Sequence, residues 1–349
     1  MSRRNRAIPA APAPALARYR LEGVPVNPTA VDEVFSLPAN GRAPSPRRPD
    51  LEDYLYLVAG TPFEQYRDFL LKEVPDSEPN RLQRIAEQWR AASVYLLQLR
   101  LTEPAWADHP EIRPLPPQLE PLADQVRSDP IFPKAFRLPV KIGLVDLDRL
   151  VVRQEVLNLV QVERLKQRLG PAPDARQVFQ TCLPVDHRAV SHHVQAVSSD
   201  TYVFTSESND IRFLESVVLE PGQVPNLVSH GPIVGVLGIL VGFGANYLSA
   251  IAAEGRIVLN NGTHRAYALR DLGVKEVPCL IQQAATRREL KSVAVGNLRK
   301  RADLYLKDPR PPVLKDYFDP RLYQRIRVPP VQRQVKIRFT VESYDVVKK

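Results

Sequence analysis

The pattern of hydrophobic and polar positions divides the chain into an arm, a helical segment and a region of alternating strands and helices. Residues 1–49 contain nine prolines and few large apolar residues. Because such a segment cannot bury enough apolar surface to offset the entropy lost on ordering, we predict a disordered, basic arm. From Asp50 the pattern favours helices over residues 50–60, 61–73 and 79–102. These helices and the proline-rich linker after them predict a helical subdomain over residues 50–131.

Between residues 132 and 283 the pattern alternates between short apolar runs and amphipathic segments. It predicts a strand over residues 138–145, a helix over 158–169 that ends at Gly170, and a strand over 213–219. Residues 221–253 contain no Asp, Glu, Lys or Arg. Because the flanking residues Glu220 and Glu254 are acidic and not basic, we expect no membrane span here. We predict a buried glycine-rich loop or strand over residues 231–244 and a helix over 245–253.

The most informative unit is the strand–turn–helix–strand pattern over residues 256–282. An apolar strand runs into the turn Asn260-Asn261-Gly262, a helix spans residues 263–272, and a second strand covers 277–281. The start of a helix offers free N–H groups and the positive end of a dipole, which favour a bound anion. His264 and Arg265 lie in this first turn, where a cation is unfavourable unless an anion is close by. The alternative is a surface turn in which Arg265 pairs with a carboxylate such as Asp271 or Glu276.

This unit resembles the signature of the ParB/sulfiredoxin superfamily, whose members carry Gly-Glu-Arg-Arg, Gly-Gly-Cys-His-Arg or Gly-His-His-Arg at the same turn. Gly262 and Arg265 match the family glycine and arginine, and His264 matches the histidine of sulfiredoxins. The resemblance implies an α+β domain over residues 132–283, a small mixed sheet with helices, into which residues 171–245 are inserted. Thr263 replaces the sulfiredoxin cysteine and the ParB glutamate, so sulfinic-acid repair is excluded and CTP hydrolysis is not implied.

The resemblance also implies a phosphate or nucleotide ligand at the turn. The expected phosphate-binding residues are Asn261, Gly262, Thr263, His264 and Arg265. His264 and Thr263 are the catalytic candidates, since the ordinary pKa of histidine, near 6.5, suits a phosphate ligand or a proton shuttle. Supporting contacts are expected from residues that precede the helix over 158–169, namely Arg153, Gln154 and Glu155.

The ligand expected at this turn is CTP or ATP with Mg²⁺ as a cofactor, and the carboxylate candidates for the metal are Asp146, Asp148 and Glu155. If the chain is an enzyme, the expected reaction is phosphohydrolysis or phosphotransfer. The alternative is a non-catalytic DNA-associated or partner-binding module with the same fold. In that case a protein partner is expected on the helices of residues 50–103.

Charge and cysteine content complete the expectations. The net charge is +9, with +4 in residues 1–50, +10 in residues 284–349 and −5 between them. The basic C-terminal extension over 284–349, which ends in a strand, is therefore a candidate for nucleic-acid contact. Its aromatic residues, Tyr305 and Tyr317 among them, either stack on bases or bury themselves to anchor the extension. Two cysteines without CxxC spacing predict a cytoplasmic location, and histidines that match no standard finger predict no metal site. The acidic residues that flank residues 221–253 predict no membrane contact.

Overall fold

The computed structural model describes residues 51–75, 79–187, 190–208, 210–226 and 229–347. The arm predicted over residues 1–49 lies outside these ranges. The strands, in chain order, are β1 (Glu52–Leu57), β2 (Ile112–Arg113), β3 (Val140–Asp146), β4 (Val156–Asn158), β5 (His192–Ser198), β6 (Thr201–Ser206), β7 (Ile211–Leu219), β8 (Val236–Phe243), β9 (Ser249–Ala253), β10 (Arg256–Asn261), β11 (Glu276–Gln283), β12 (Tyr323–Val328) and β13 (Arg333–Arg338).

The helices, in chain order, are α1 (Phe63–Glu73), α2 (Arg81–Thr102), α3 (Glu120–Ser128), α4 (Phe132–Ala135), α5 (Leu159–Leu169), α6 (Ala175–Cys182), α7 (Thr263–Asp271), α8 (Arg287–Val293), α9 (Gly296–Lys300) and α10 (Ala302–Leu306). The chain is therefore an α+β protein with several small sheets, which confirms the predicted class. Among its described helices, none has the length and apolar character needed to cross a membrane.

A five-stranded mixed sheet, ordered β10-β9-β11-β3-β2, organises the main core. Strand β11 pairs antiparallel with β3 and parallel with β9, and its residues Val277 to Ile281 are all buried. Helices α6 and α7 bury Phe179 and Leu269 in the same hydrophobic cluster as these strands. The turn between β10 and α7 therefore lies at the end of a fully packed sheet, which fixes its position.

The predicted helix over residues 50–60 is wrong, because residues 52–57 form strand β1. This strand lies between β12 and β4 in a three-stranded sheet. Leu55 and Leu57 join the main core, whereas Tyr54 and Tyr56 pack in a separate cluster against α1 and α2. Burial on both faces produces a continuous apolar run that local periodicity cannot distinguish from a helix. The segment over 50–131 is therefore not wholly helical, and β1 shares its sheet with the C-terminal extension.

Other predicted elements near the N-terminus are confirmed or replaced. Helices α1 and α2 occupy the predicted ranges, and Ile85, Ala92 and Leu96 of α2 are buried at the expected spacing. The predicted linker from 104 to 133 instead contains β2, α3 and α4. Leu122 and Val126 of α3 enter the main core, which explains why this proline-rich stretch is ordered.

The helix predicted over residues 245–253 is also wrong, since Ser249–Ala253 forms the strand β9. Its alanines favour a helix in isolation. Pairing with β10 on one side and β11 on the other overrides this preference, because small side chains suit the crowded centre of the sheet. By contrast, the strands predicted over 138–145, 213–219, 256–259 and 277–281 and the helix over 158–169 are confirmed.

Strands β5 to β8, together with β13 near the C-terminus, build two small sheets, which we call the β extension: β13-β6-β5 and β7-β8. The C-terminal strand predicted by alternation is confirmed as β13, and it joins the first of these sheets. The glycine-rich stretch forms strand β8, but its residues are half-buried or exposed and not buried as predicted.

Candidate functional site

Two segments that the sequence predicts to hold ligand meet in the structure. The Arg153 guanidinium donates from Nη2 to the carbonyl oxygen of Asn260 at 2.7 Å. The backbone N–H of Asn158 donates to Nε2 of His264 at 3.0 Å. We call this contact between residues 153–158 and 260–264 the junction. It brings the supporting residues of the prediction beside the turn that opens α7.

The turn has the geometry that its sequence predicts. Gly262 is the N-cap of α7 with φ +101°, a left-handed conformation that favours glycine. Because glycine has no side chain, the first-turn N–H groups of α7 receive no side-chain cap. Asn261 holds the turn by donating from Nδ2 to the carbonyl of Tyr247 at 2.9 Å. Thr263 follows at the first helical position and is buried.

His264 is a neutral hydrogen-bond acceptor and not a cation. Burial, followed by the neighbouring Arg265 guanidinium, lowers the pKa of His264 to about 4. Its Nε2 accepts the Asn158 N–H, so the ring proton resides on Nδ1 at neutral pH. The ordinary pKa assumed from sequence is therefore wrong. The side chain links two segments, and it brings no positive charge to a phosphate.

Arg265 points into the protein. The residue is only 7% exposed, and its Nη1 donates to the carbonyls of Thr181 at 3.1 Å, Cys182 at 3.2 Å and Asn246 at 2.5 Å. Burial lowers the pKa of this guanidinium. These contacts tie the end of α6 and the segment before β9 to α7. Arg265 is therefore placed as a structural residue, and the phosphate contact expected of it stays a prediction.

The pairing of Arg265 with an acidic neighbour, which was the alternative interpretation, is not found. Asp271 pairs with Lys166 at 2.5 Å, and Glu276 pairs with Arg113. Both carboxylates thus have other partners.

Arg153 is a half-buried cation at the junction that has no counterion in the described chain. Its Nε is buried without a hydrogen-bond partner, as is Oδ1 of Asn260. Among the residues that the structure describes, no carboxylate lies within 4 Å of this guanidinium. Burial lowers the pKa of Arg153, while the nearby Tyr305 and Glu155 act in the opposite direction. The junction therefore holds one buried donor and one buried acceptor that remain unpaired.

The neighbours of Arg153 are themselves engaged. Glu155 accepts from Asn297 Nδ2 on α9 at 2.8 Å. Gln154 donates from Nε2 to the carbonyl of Val156 at 2.6 Å, so its side chain serves the local backbone. Sequence reasoning missed Asn297, because it belongs to no motif and reaches Glu155 only through the packing of α9.

The residues expected to hold Mg²⁺ do not gather. The Asp146 side chain accepts from the backbone N–H of Asp148, and Asp148 pairs with Arg270. Within the described ranges, no group of three or more His, Cys, Asp or Glu side chains could hold a metal. Mg²⁺ carried by a bound nucleotide, which needs fewer protein ligands, stays a prediction.

A second polar cluster lies away from the junction, and sequence reasoning did not identify it. Asp129 is buried and accepts from Tyr247 Oη at 2.9 Å and from the backbone N–H of Ile131 at 2.8 Å. Its carboxylate also contacts His187 Nε2. These hydrogen bonds lower the pKa of Asp129 against the opposing effect of its burial. They join the start of α4 to the chain that leads into the β extension.

Two cavities lie elsewhere. The larger, of about 340 Å³, is lined by the β9–β10 turn with His109 and Gln283. The other, of about 220 Å³, lies between α1, α2 and β12. None of the residues from Asn261 to Arg265 lines either cavity.

The cations of the basic C-terminal extension differ in their exposure, some being buried and others exposed to solvent. Arg310 is fully buried and forms a bidentate ion pair with Asp316. Tyr305 and Tyr317 are also buried, so of the two expected roles they anchor the extension. On α8, α9 and the residue that follows α9, five cations are exposed and have no carboxylate within 4 Å in the described part of the chain: Arg288, Lys291, Arg299, Lys300 and Arg301. We call these five residues the basic patch.

No protein-family model, no curated protein and no solved structure matches this chain.

Proposed function

We propose that the protein binds a phosphate-bearing ligand, of which a nucleotide is the best fit, at the junction, with Arg153 as the principal cationic contact. The observation that carries this proposal is the unpaired, buried Nε of Arg153 beside the unpaired, buried Oδ1 of Asn260. A buried donor or acceptor without a partner costs about 1–3 kcal/mol, and more for a charged group. A ligand that satisfies both atoms recovers this cost, which then contributes to affinity.

The two unpaired atoms define the chemistry of the ligand. Arg153 Nε requires an acceptor, and a phosphate oxygen complements the positive charge of the guanidinium. Asn260 Oδ1 requires a donor, which the amino or hydroxyl group of a nucleotide supplies. The uncapped start of α7 follows Asn260 by three residues and adds the positive end of a helix dipole. These features support an anion with hydrogen-bond donors.

The contacts favour ligand binding over phosphate chemistry. His264 is neutral and its Nε2 is occupied, and Glu155 is held by Asn297. Hydrolysis or transfer of a phosphoryl group also calls for a metal or equivalent cations in line with the reacting atoms. We therefore propose a ligand-binding protein in which bound nucleotide joins the segments on either side of the junction.

Thermal and chemical unfolding test this proposal, with CTP, ATP and inorganic pyrophosphate as probes, each with and without Mg²⁺. A probe at 100 times its Kd adds roughly 2.7 kcal/mol to the free energy of unfolding. Arg153→Met is expected to lose this stabilisation. Without ligand, this variant should be at least as stable as wild type, because it removes a half-buried cation that has no counterion.

The control is Arg164→Met, which removes an exposed arginine on α5 that has no carboxylate within 4 Å in the described chain. It should keep the full ligand response. A response of Arg153→Met equal to that of wild type would exclude Arg153 as the ligand contact. The absence of stabilisation by all three probes would exclude nucleotide binding.

A second candidate function, nucleic-acid contact, is favoured by the basic patch. Exposed cations without counterions bind the phosphate backbone, and removing one such cation lowers the salt dependence of the association constant by about 0.9 on a log–log plot. The double variant Arg299→Glu/Lys300→Glu should weaken binding to duplex DNA and reduce this slope. Lys134→Glu, an exposed change on α4, should leave both unchanged. Binding that does not depend on salt concentration would argue against this candidate.

A further inference from the structure

The β7–β8 sheet carries an apolar face that the described chain covers only in part. Cross-strand partners point to the same face, and the pairs Phe213–Val241, Ser216–Ile239 and Val218–Leu237 place six side chains together. Only one of the six is polar. Val218 is 82% exposed, Leu237 66% and Phe213 50%. An apolar face of this kind on a protein surface usually marks an interaction site.

Strand β8 also has an open edge. In the part of the chain that the structure describes, it pairs with β7 alone, in a sheet of two strands. Its eight residues, Val236–Phe243, include no charged residue and no proline. Natural edge strands are usually blocked by lysine, proline or a charge, because an open edge offers unpaired N–H and C=O groups to another strand. The contrasting edge strand β13 does carry such charges, on Arg333, Lys336 and Arg338.

An isolated two-stranded hairpin is marginally stable in water, whereas three or more strands with an apolar face can be stable on their own. An added strand and a cover for the apolar face would therefore stabilise the β7–β8 pair. One added strand supplies both if it is apolar on the same face. Strand β8 of a second copy of the chain meets this condition, because it carries the same apolar residues.

Charge decides between a second copy and a different partner. The chain has a net charge of +9, so two copies repel each other over most of their surface. Residues 221–253 contain no charged side chain, so two copies meet there without like charges in contact. The same stretch offers no charge that an acidic protein or a nucleic acid would recognise. The uncharged surface of β8 is therefore better suited to a second copy of the chain than to a charged partner.

We propose that β8 pairs antiparallel with β8 of a second copy about a two-fold axis. The result is a four-stranded sheet in which each molecule contributes β7 and β8, with β8 at the centre. The apolar faces of the two hairpins then form one continuous surface. Because the interface is isologous, the same residues contribute from both copies and the assembly closes as a dimer.

The mass of the full chain in solution tests the proposal, measured by sedimentation over a range of micromolar concentrations. The expected mass is twice the 39.3 kDa of one chain. Leu237→Glu puts a carboxylate from each copy into the interface and should raise the dimer dissociation constant by about 100-fold or more. The control is Leu101→Glu, the same change at an 83% exposed leucine on α2, which should leave the mass unchanged.

Cross-linking tests the strand pairing without charge reversal. A two-fold axis through paired β8 strands brings a central residue of one copy opposite the same residue of the other, at a Cα separation that a disulfide spans. Ile239→Cys and Leu240→Cys are made separately. At least one should give a disulfide-linked dimer under mild oxidation. Val94→Cys, at an exposed position on α2, should not, and the native Cys182 and Cys279 are both buried.

The outcomes separate clearly. A wild-type protein that stays monomeric over the whole range overturns the proposal, as does a dimer that Leu237→Glu leaves intact. A mass that grows beyond the dimer with concentration overturns the two-fold closure. If Leu237→Glu does not fold, as judged by circular dichroism, the cross-linking result decides alone. Absence of a linked dimer from both β8 cysteine variants then overturns the pairing.

Discussion

Replacement of Arg265 tests whether the turn before α7 is stabilised by contacts within the protein or by a bound ligand. A phosphate-binding arginine can be replaced with little effect on the unliganded fold. In the structure, Arg265 instead satisfies carbonyls of Thr181, Cys182 and Asn246, which belong to α6 and to the segment before β9. Replacement by methionine keeps much of the apolar stem but removes every donor. We therefore expect Arg265→Met to destabilise the protein in the absence of ligand.

The magnitude follows from the number of bonds that Nη1 can make. A guanidinium nitrogen of this type carries two N–H groups, so its three contacts amount to about two full hydrogen bonds. A hydrogen bond to a charged group contributes roughly 1.5–3 kcal/mol, and its loss leaves buried carbonyls unsatisfied. Relief from burying a cation offsets part of this loss. The expected decrease in the free energy of unfolding is about 3 kcal/mol.

Chemical denaturation measures this decrease directly. The midpoint should fall while the m-value stays constant, because the surface exposed on unfolding does not change. In a thermal scan, about 3 kcal/mol corresponds to a decrease in Tm of roughly 4–5 °C for a chain of this length. Arg153→Met is the matched comparison, since it also replaces an arginine without a counterion by methionine but is expected to leave the unliganded stability unchanged or higher. If Arg265→Met is as stable as wild type and loses its response to nucleotide, the structural assignment of Arg265 is refuted.

Two further predictions concern buried polar contacts. The pKa of His264 lies near 4 in the folded chain and near 6.5 in the unfolded chain, so its contribution to stability is present above pH 6.5 and is lost as the pH falls towards 4. The full loss in the free energy of unfolding is at most about 3 kcal/mol. The variant His264→Gln, whose amide oxygen can still accept the Asn158 N–H, should make the free energy of unfolding less dependent on pH between pH 4 and 7. An unchanged pH dependence would contradict the assignment. Arg310→Met leaves the buried Asp316 carboxylate unpaired and should cost about 3–5 kcal/mol in denaturant unfolding. The isosteric Asp316→Asn should cost less than Arg310→Met, and equal losses would show that the ion pair is not the cause.

Local signals in the sequence were sufficient to predict the helices whose ends carry a capping side chain or a glycine. Asn158 caps α5 by accepting from the backbone N–H of Gln161 at 3.1 Å, and Gly170 ends that helix with a positive φ. Gly262 and Gly273 bound α7 in the same way. The reason is that caps and turns act over three or four residues, within the range that a sequence pattern describes.

Strands at the centre of sheets were not predictable in the same way. Strand β1 pairs with residues more than 250 positions away in β12, and β9 owes its conformation to β10 and β11. In both strands, pairing with distant segments and burial on both faces override the local preference, which for β9 is helical. The alternation that marks a half-exposed strand, as in β13, is absent where both faces are buried.

For the candidate site, local sequence was enough to predict the turn at Gly262, the start of α7 and the candidate residues on either side of them. Tertiary packing was needed to show which arginine is held by backbone carbonyls and which keeps a buried Nε without a hydrogen-bond partner. Arg265 and Arg153 are both basic residues next to apolar runs, and nothing in their neighbours distinguishes them. The difference arises because α6 and the segment before β9 place three carbonyls around Arg265, whereas no acceptor of the described chain reaches Nε of Arg153. Burial and the supply of partners depend on segments far apart in sequence, so they are properties of the folded chain alone.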